Sequence, residues 1–121
     1  MIAEKTNLKD CWIVEPDVYE DERGYFFEGF NQKKFKEATG VHFDVKQINQ
    51  SRSSQNVLRG LHFQKGEKAQ AKLVSCMEGE VLDVAVDLRK DSPTFGKYSV
   101  VRLSAMHYRA CRHPKDTLAF G

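Results

Sequence analysis

The stretch AKLVSCMEGEVLDVAVDL, residues 71–88, decides the fold. It contains two short apolar runs rich in Val and Leu, joined by Glu78 and Gly79. Apolar and β-branched residues in runs of this length are typical of strands. A two-residue connection that contains glycine is a local signal for a β-hairpin. The sequence therefore predicts two antiparallel strands in the middle of the chain.

Further strands are predicted on both sides of this pair. VHFDVKQIN (41–49) and NVLRGLHFQ (56–64) precede it, and KYSVVRLSA (97–105) follows it. RKDSPTFG (89–96) is long enough for an open loop. So many short strands in one small chain favour an antiparallel sandwich, barrel or jelly roll.

The N-terminal part predicts shorter elements. DCWIVEPDVY (10–19) predicts a strand that Pro16 interrupts or confines to an edge. DERG (21–24) predicts a turn, and YFFEGF (25–30) a strand.

One short helix is predicted at NQKKFKEAT, residues 31–39. Asn31 is a good N-cap residue, and Gly40 follows the helix where a left-handed C-cap is common. No other segment predicts a helix.

Composition indicates one domain, residues 1–121, because a chain of this length leaves little room for a second core. The 19 basic and 17 acidic residues are dispersed without a polybasic block, so no nucleic-acid partner is predicted. A charged N-terminus and the lack of a long apolar run predict neither a signal peptide nor a membrane span. Cys11, Cys76 and Cys111 form no CxxC pair and indicate a reducing, cytoplasmic location.

Two residues of NVLRGLHFQ stand out chemically, namely Arg59 and His62. In a regular strand they would point to opposite faces and serve different sites. Gly60 between them can form a β-bulge that turns both toward one cavity. A single histidine on a strand is more often structural than catalytic, so this segment alone does not assign a role.

Lys72 interrupts the apolar run of the next segment, QAKLVSCM, and shares a strand face with Val74 and Cys76. An amine is costly to bury without a partner or a function. A lysine on an edge strand can instead extend its amine to solvent.

Metal and hydrolase sites are not predicted. His42, His62, His107 and His113 lack the close His-x-His spacing of cupin metal sites. No serine lies in a GxSxG sequence. We therefore expect neither a metal nor another cofactor.

Six motifs together resemble one known family. In chain order they are DERGYFFEGFN (21–31), QINQS (47–51), NVLRGLHFQ (56–64), AQAKLV (69–74), GEVLDVAVDLRKDSPTFGKY (79–98) and RLSA (102–105). They closely resemble the dTDP-4-dehydrorhamnose 3,5-epimerase family, almost without gaps from about Lys5 to Ala105.

This resemblance implies a cupin-type antiparallel β jelly roll, usually a homodimer whose N-terminal strands help build the neighbouring subunit's site. It also implies catalysis without a metal. By the same resemblance, His62 is the base that removes protons beside the keto group, and Lys72 stabilises the enolate oxygen. The residues that would bind the dTDP part of the substrate are Arg23, Glu28, Gln47, Asn49 and Arg59.

The chain departs from the family pattern in residues 106–121, MHYRACRHPKDTLAFG. The family's donor tyrosine, its aspartate that orients the base, and its thymine-stacking aromatic have no match here. Tyr108 and His113 are candidates for replacing them, without support from their context. A truncation, a frameshifted tail and a divergent short form all fit this end, and each implies an incomplete jelly roll.

The resemblance thus implies an epimerase that inverts C3 and C5 of a dTDP-4-keto-6-deoxyhexose. Two alternatives stay open. The first is an inactive sugar-nucleotide-binding or assembly module. The second is a related 3- or 5-epimerase or ketoisomerase.

Overall fold

The computed structural model describes residues 1–62, 66–115 and 117–120 of the chain. Within these ranges the protein forms nine strands, one α-helix and a 3-10 turn at Gly66–Lys68. The helix α1 is Gln32–Thr39, and the strands are β1 (Ile2–Lys5), β2 (Trp12–Glu15), β3 (Val18–Asp21), β4 (Gly24–Phe27), β5 (Lys72–Ser75), β6 (Glu80–Asp87), β7 (Tyr98–Ser104), β8 (Ala110–His113) and β9 (Thr117–Phe120). No helix in the described ranges is long and apolar enough to cross a membrane.

The strands form three sheets. The first has the order β1-β2-β8-β5, the second β7-β6-β9, and the third is the β3-β4 hairpin. Every strand pair given above is antiparallel, as predicted. Residues 106–121, for which a departure from the family pattern is predicted, contribute β8 to the interior of the first sheet and β9 to the edge of the second.

The main core lies between the first two sheets. Ile13, Val74 and Cys111 on the first sheet pack with Ala85 and Leu103 on the second. Because neighbouring residues of a strand point to opposite faces, Val14, Leu73 and Ala110 lie on the outer face of the first sheet. The first sheet is therefore covered on both faces.

The predicted hairpin at Glu78 and Gly79 is wrong. β5 pairs with β8 and β6 pairs with β7 and β9, so the two residues connect different sheets. Both apolar runs bury side chains in the same core from opposite sides, which requires the chain to cross between layers. Gly79 makes this sharp change of direction with φ of 75°, a conformation that glycine adopts without a Cβ clash.

The strands predicted at 41–49 and 56–64 are also wrong for the residues described. Residues 41–61 contain no strand, His62 forms an isolated β-bridge, and Phe63 and Gln64 lie outside the described residues. Their apolar side chains find no paired partner: Ile48 is 87% exposed and Leu58 75%. Strand formation depends on pairing and burial as much as on local sequence, and residues 41–61 are unpaired with most of their apolar side chains exposed.

Helix α1 forms as predicted. The side chain of Asn31 accepts a hydrogen bond from the backbone N–H of Lys34, and Gly40 ends the helix in the left-handed region. The fully buried Phe35 packs against Val14 and Ala110 on the outer face of the first sheet. The two caps satisfy backbone groups that a short helix leaves unpaired.

The predicted loop between β6 and β7 is organised around the buried carboxylate of Asp87. Arg89 Nε donates to it at 2.9 Å, and the hydroxyls of Ser92 and Thr94 donate at 2.6 Å each. Burial alone would raise the pKa of Asp87, but these hydrogen bonds outweigh it and hold that pKa well below its usual range.

We expect Asp87→Asn to lower the free energy of unfolding by about 2–3 kcal/mol at pH 7, and by less at low pH. A carboxyl whose pKa is depressed by folding stabilises the protein above its unfolded pKa of about 3.9. That contribution disappears as the pH falls toward the lower pKa of the folded state. Urea unfolding at pH 7, 5 and 3 measures the difference. Asp91→Asn, at an exposed position in the same loop, is the control, and a difference that stays constant with pH would contradict the argument.

Candidate active site

Lys72 begins β5, the last strand in the order of the first sheet. It shares a strand face with Val74, which packs into the core between the sheets. The register places Lys72 opposite His113 of β8. The lysine is only half-buried. Its side chain therefore brings a cationic group to the margin of the interior.

His113 and Asp83 form a buried polar pair beside it. His113 Nε2 lies 2.6 Å from Asp83 Oδ2, and both residues are at most 2% exposed. The pair joins β8 to β6 across the core. Sequence reasoning missed it, although Asp83 at an inward position of an apolar strand was a signal. The sequence offers His113 only as a histidine without metal-site spacing and as a candidate replacement for a missing residue.

His62 lies on the surface at the end of a described segment. Its Nδ1 is 3.0 Å from the carbonyl oxygen of Gly60. A carbonyl can only accept a hydrogen bond, so Nδ1 carries the proton. This tautomer leaves the lone pair on Nε2, the nitrogen that can act as a base.

The backbone around Arg59 does not form the predicted strand, so the Arg59 side chain does not lie on a strand face. Its Nε donates to the hydroxyl of Ser53 at 2.8 Å, and its Nη2 donates to the carbonyl of Arg52. The proposed bulge at Gly60 has no strand in which to form, because residues 56–61 are not paired. Arg59 and His62 are thus three positions apart in an irregular exposed segment.

The other candidates for nucleotide binding are exposed. Gln47 donates to Asn49 at 3.0 Å, which is the only hydrogen bond between candidate residues within the described ranges. Arg23 pairs with Asp21 at 2.6 Å, and this hydrogen bond raises the pKa of Arg23. Glu28 accepts from Lys34 at 2.6 Å, and that contact lowers the pKa of Glu28.

Tyr108 serves the packing of the β3-β4 hairpin. Its ring centroid lies 5.2 Å from that of Tyr25 and 5.1 Å from that of Phe27. Partial burial raises its pKa. These contacts give Tyr108 a structural role and do not support it as a replacement for the family's proton donor.

Two cysteines touch in the core next to His113. Cys11 Sγ and Cys111 Sγ are 3.9 Å apart, and both thiols are free. The hydrogen bond between them lowers the pKa of Cys11 against the opposing effect of burial, and it raises the pKa of Cys111. Cys76, the third thiol, lies outside this contact.

These groups suit proton transfer next to a carbonyl. An imidazole with a lone pair on Nε2 can remove a proton from carbon, and a cationic side chain can stabilise the oxyanion that results. Arginine and amide groups suit a diphosphate and a base. The described residues do not by themselves bring His62 and Lys72 into direct contact.

A family model described as dTDP-4-dehydrorhamnose 3,5-epimerase matches residues 5–117. The match extends past Ala105 to residue 117, into the segment for which a departure from the family is predicted. The dTDP-4-dehydrorhamnose 3,5-epimerase of Salmonella typhimurium is 57% identical over 109 residues, which are 90% of this chain and 60% of the relative. The chain thus spans about 60% of the length of such curated relatives.

Solved structures of 3,5-epimerases are also similar to this chain. The dTDP-4-dehydrorhamnose 3,5-epimerase of Elizabethkingia anophelis superimposes with a TM-score of 0.91 at 56% identity, over 97% of this chain and 64% of that one. A Legionella pneumophila 3,5-epimerase in complex with dTDP-4-keto-L-rhamnose gives 0.89 at 44% identity, over 97% and 62%. The predicted cupin-type jelly roll is confirmed.

Proposed function

The chain belongs to the dTDP-4-dehydrorhamnose 3,5-epimerase family, and from this premise we propose that it epimerises C3 and C5 of a dTDP-4-keto-6-deoxyhexose. The observation that carries the proposal is the family match over residues 5–117, which includes both His62 and Lys72. The Legionella relative was solved with a ligand of this class.

The proposed chemistry is proton abstraction beside the 4-keto group. Nε2 of His62 takes the proton from C3 or C5, and the electron pair moves onto the carbonyl oxygen to form an enolate. Lys72 stabilises that negative charge, so the step needs no metal. Reprotonation by water on the opposite face of the ring inverts the carbon, because the described residues offer no tyrosine donor. The ketone acidifies both neighbouring carbons, which lets one site act on each in turn.

We propose that the dTDP part is bound by Arg23, Glu28, Gln47, Asn49 and Arg59. Arginine holds phosphate oxygens through its planar set of donors. Binding of the nucleotide away from the reacting carbons helps position the sugar. The hydrogen bond between Gln47 and Asn49 already orients two of these side chains.

We also propose a homodimer in which the β3-β4 hairpin of one subunit reaches its neighbour. The hairpin forms its own two-stranded sheet, with Tyr19 64% and Phe26 66% exposed. Arg23 lies in its turn and Glu28 directly after it. Sedimentation at micromolar concentration should give a dimer or a higher oligomer. A compact, stable monomer would exclude this arrangement.

The cytoplasmic location stays a prediction from the sequence.

Solvent exchange tests the function directly. The chain is incubated in deuterated water with dTDP-4-keto-6-deoxyglucose, and deuterium at C3 and C5 is read by NMR. We expect incorporation at both carbons. Incorporation at one carbon alone would indicate a related 3- or 5-epimerase. No incorporation while dTDP still binds would overturn the enzymatic proposal in favour of a binding module.

A further inference from the structure

Four ligand-type side chains meet in the core, outside the proposed chemistry. They are Cys11, Asp83, Cys111 and His113, each at most 2% exposed. Ligand atoms of Asp83, Cys111 and His113 all lie within 4.8 Å of one another. Cys11 joins this group through its 3.9 Å contact with Cys111.

Two atoms of this cluster are buried without a partner, Oδ1 of Asp83 and Nδ1 of His113. An unsatisfied buried polar atom is costly, and native structures contain few of them. Both atoms are metal ligands by chemistry. Their occurrence beside two thiols indicates a site built for a bound group.

From this geometry we propose that Cys11, Cys111 and His113 bind a zinc ion and that Asp83 orients the imidazole. Two thiolates on a tetrahedral zinc lie about 3.8 Å apart, given zinc–sulfur bonds of about 2.3 Å. The sulfur atoms here are 3.9 Å apart. Metal-bound histidines commonly donate their other ring N–H to a carboxylate. The bond from His113 Nε2 to Asp83 has this form, and Nδ1 of the same ring has no hydrogen-bond partner among the described residues.

Three protein ligands leave one position of a tetrahedral zinc for water, and the positions of the ligands give the metal a role in packing. Cys11 directly precedes β2, and Cys111 and His113 lie on one face of β8, all in the first sheet. Asp83 lies on β6 in the second sheet. The metal would therefore hold Cys11 against β8, and the hydrogen bond between His113 and Asp83 would connect the site to the second sheet. Its enclosure separates it from the exposed His62, whereas His113 lies opposite Lys72 in the register of β5 and β8.

Cobalt(II) is the probe, because tetrahedral cobalt–thiolate centres have strong visible bands and a near-ultraviolet charge-transfer band. The full chain, reduced with a phosphine and free of metal, is titrated with Co²⁺ and then with Zn²⁺. We expect one Co²⁺ per chain with both spectral features, and displacement by Zn²⁺. Zinc at about 100 times its Kd should raise Tm on the order of 10 °C.

Matched variants assign the ligands. Cys11→Ala and Cys111→Ala should each lose the charge-transfer band and the zinc-dependent rise in Tm. Cys76→Ala, which removes the third thiol, should keep both. Asp83→Asn should weaken Co²⁺ binding by about 10- to 100-fold. Circular dichroism of the metal-free variants shows whether each is folded.

Several results would overturn the zinc site. One is the weak absorption spectrum of octahedral cobalt in the unmodified chain. Because no substitution is made, this result cannot be attributed to misfolding of a variant. Another is unchanged cobalt binding in a folded Cys11→Ala protein. A third is a thiol titration of the protein as purified that finds one free thiol and a disulfide between Cys11 and Cys111.

Discussion

We expect His62→Ala to reduce the rate of deuterium exchange at C3 and C5 by about 10²- to 10⁴-fold, the usual contribution of a positioned general base. The bond from Nδ1 to the Gly60 carbonyl fixes the tautomer that leaves Nε2 available. Alanine removes the base and, because His62 is exposed, opens no cavity in the core. Affinity for dTDP should stay unchanged, since the proposed nucleotide ligands are other residues.

His42→Ala is the matched control. His42 is also exposed, and its side chain contacts that of Gln32. It should leave the exchange rate unchanged. If His62→Ala exchanged deuterium as fast as the unmodified chain, His62 would not be the base. Loss of dTDP binding in the same variant would instead place His62 in ligand binding.

The second large effect is expected for Lys72→Met, which should lower kcat by about 10²- to 10³-fold. Methionine keeps most of the length of the side chain and removes its charge. Lys72 lies opposite His113 at the margin of the core, where a positive charge acts through less water than on the surface. The enolate oxygen would then lose its stabilising partner. Single-turnover exchange separates this loss from any change in substrate affinity.

Lys97→Met, at an exposed position, controls for the loss of one positive charge. It should alter kcat little. If Lys72→Met weakened dTDP binding and left kcat intact, the lysine would serve the nucleotide. The enolate would then need another partner.

Local chemistry in the sequence predicted the local structure well. Asn31 and Gly40 define the ends of α1 as expected, because capping depends on residues only a few positions apart. Pro16 separates β2 from β3 for a similarly local reason. The pairing of β5 was predicted wrongly. The Glu78–Gly79 signal is local, whereas the choice of β8 as partner depends on burial of Val74 against the second sheet.

The residues of the candidate site also fall into those that local motifs identify and those that depend on distant contacts. His62 and Lys72 were identified from motifs, and their roles remain proposals. The inward position of Asp83 was a signal, but its pairing with His113 could not be predicted because the two residues lie on strands of different sheets. The irregular backbone around Arg59 was missed because an apolar segment predicts a strand even where no partner strand is available.

The position of β8 has a consequence for how the chain folds during translation. β8 lies between β2 and β5, and the contact between Cys11 and Cys111 joins residues 100 positions apart. Such a high contact order slows folding, since a long loop must close before the contact is made. While the ribosome is still synthesising residues 110–113, β2 and β5 lack the strand that joins them. The first sheet can therefore be completed only after β8 has left the exit tunnel. Until then the unpaired strands β2 and β5 are available for chaperones to bind.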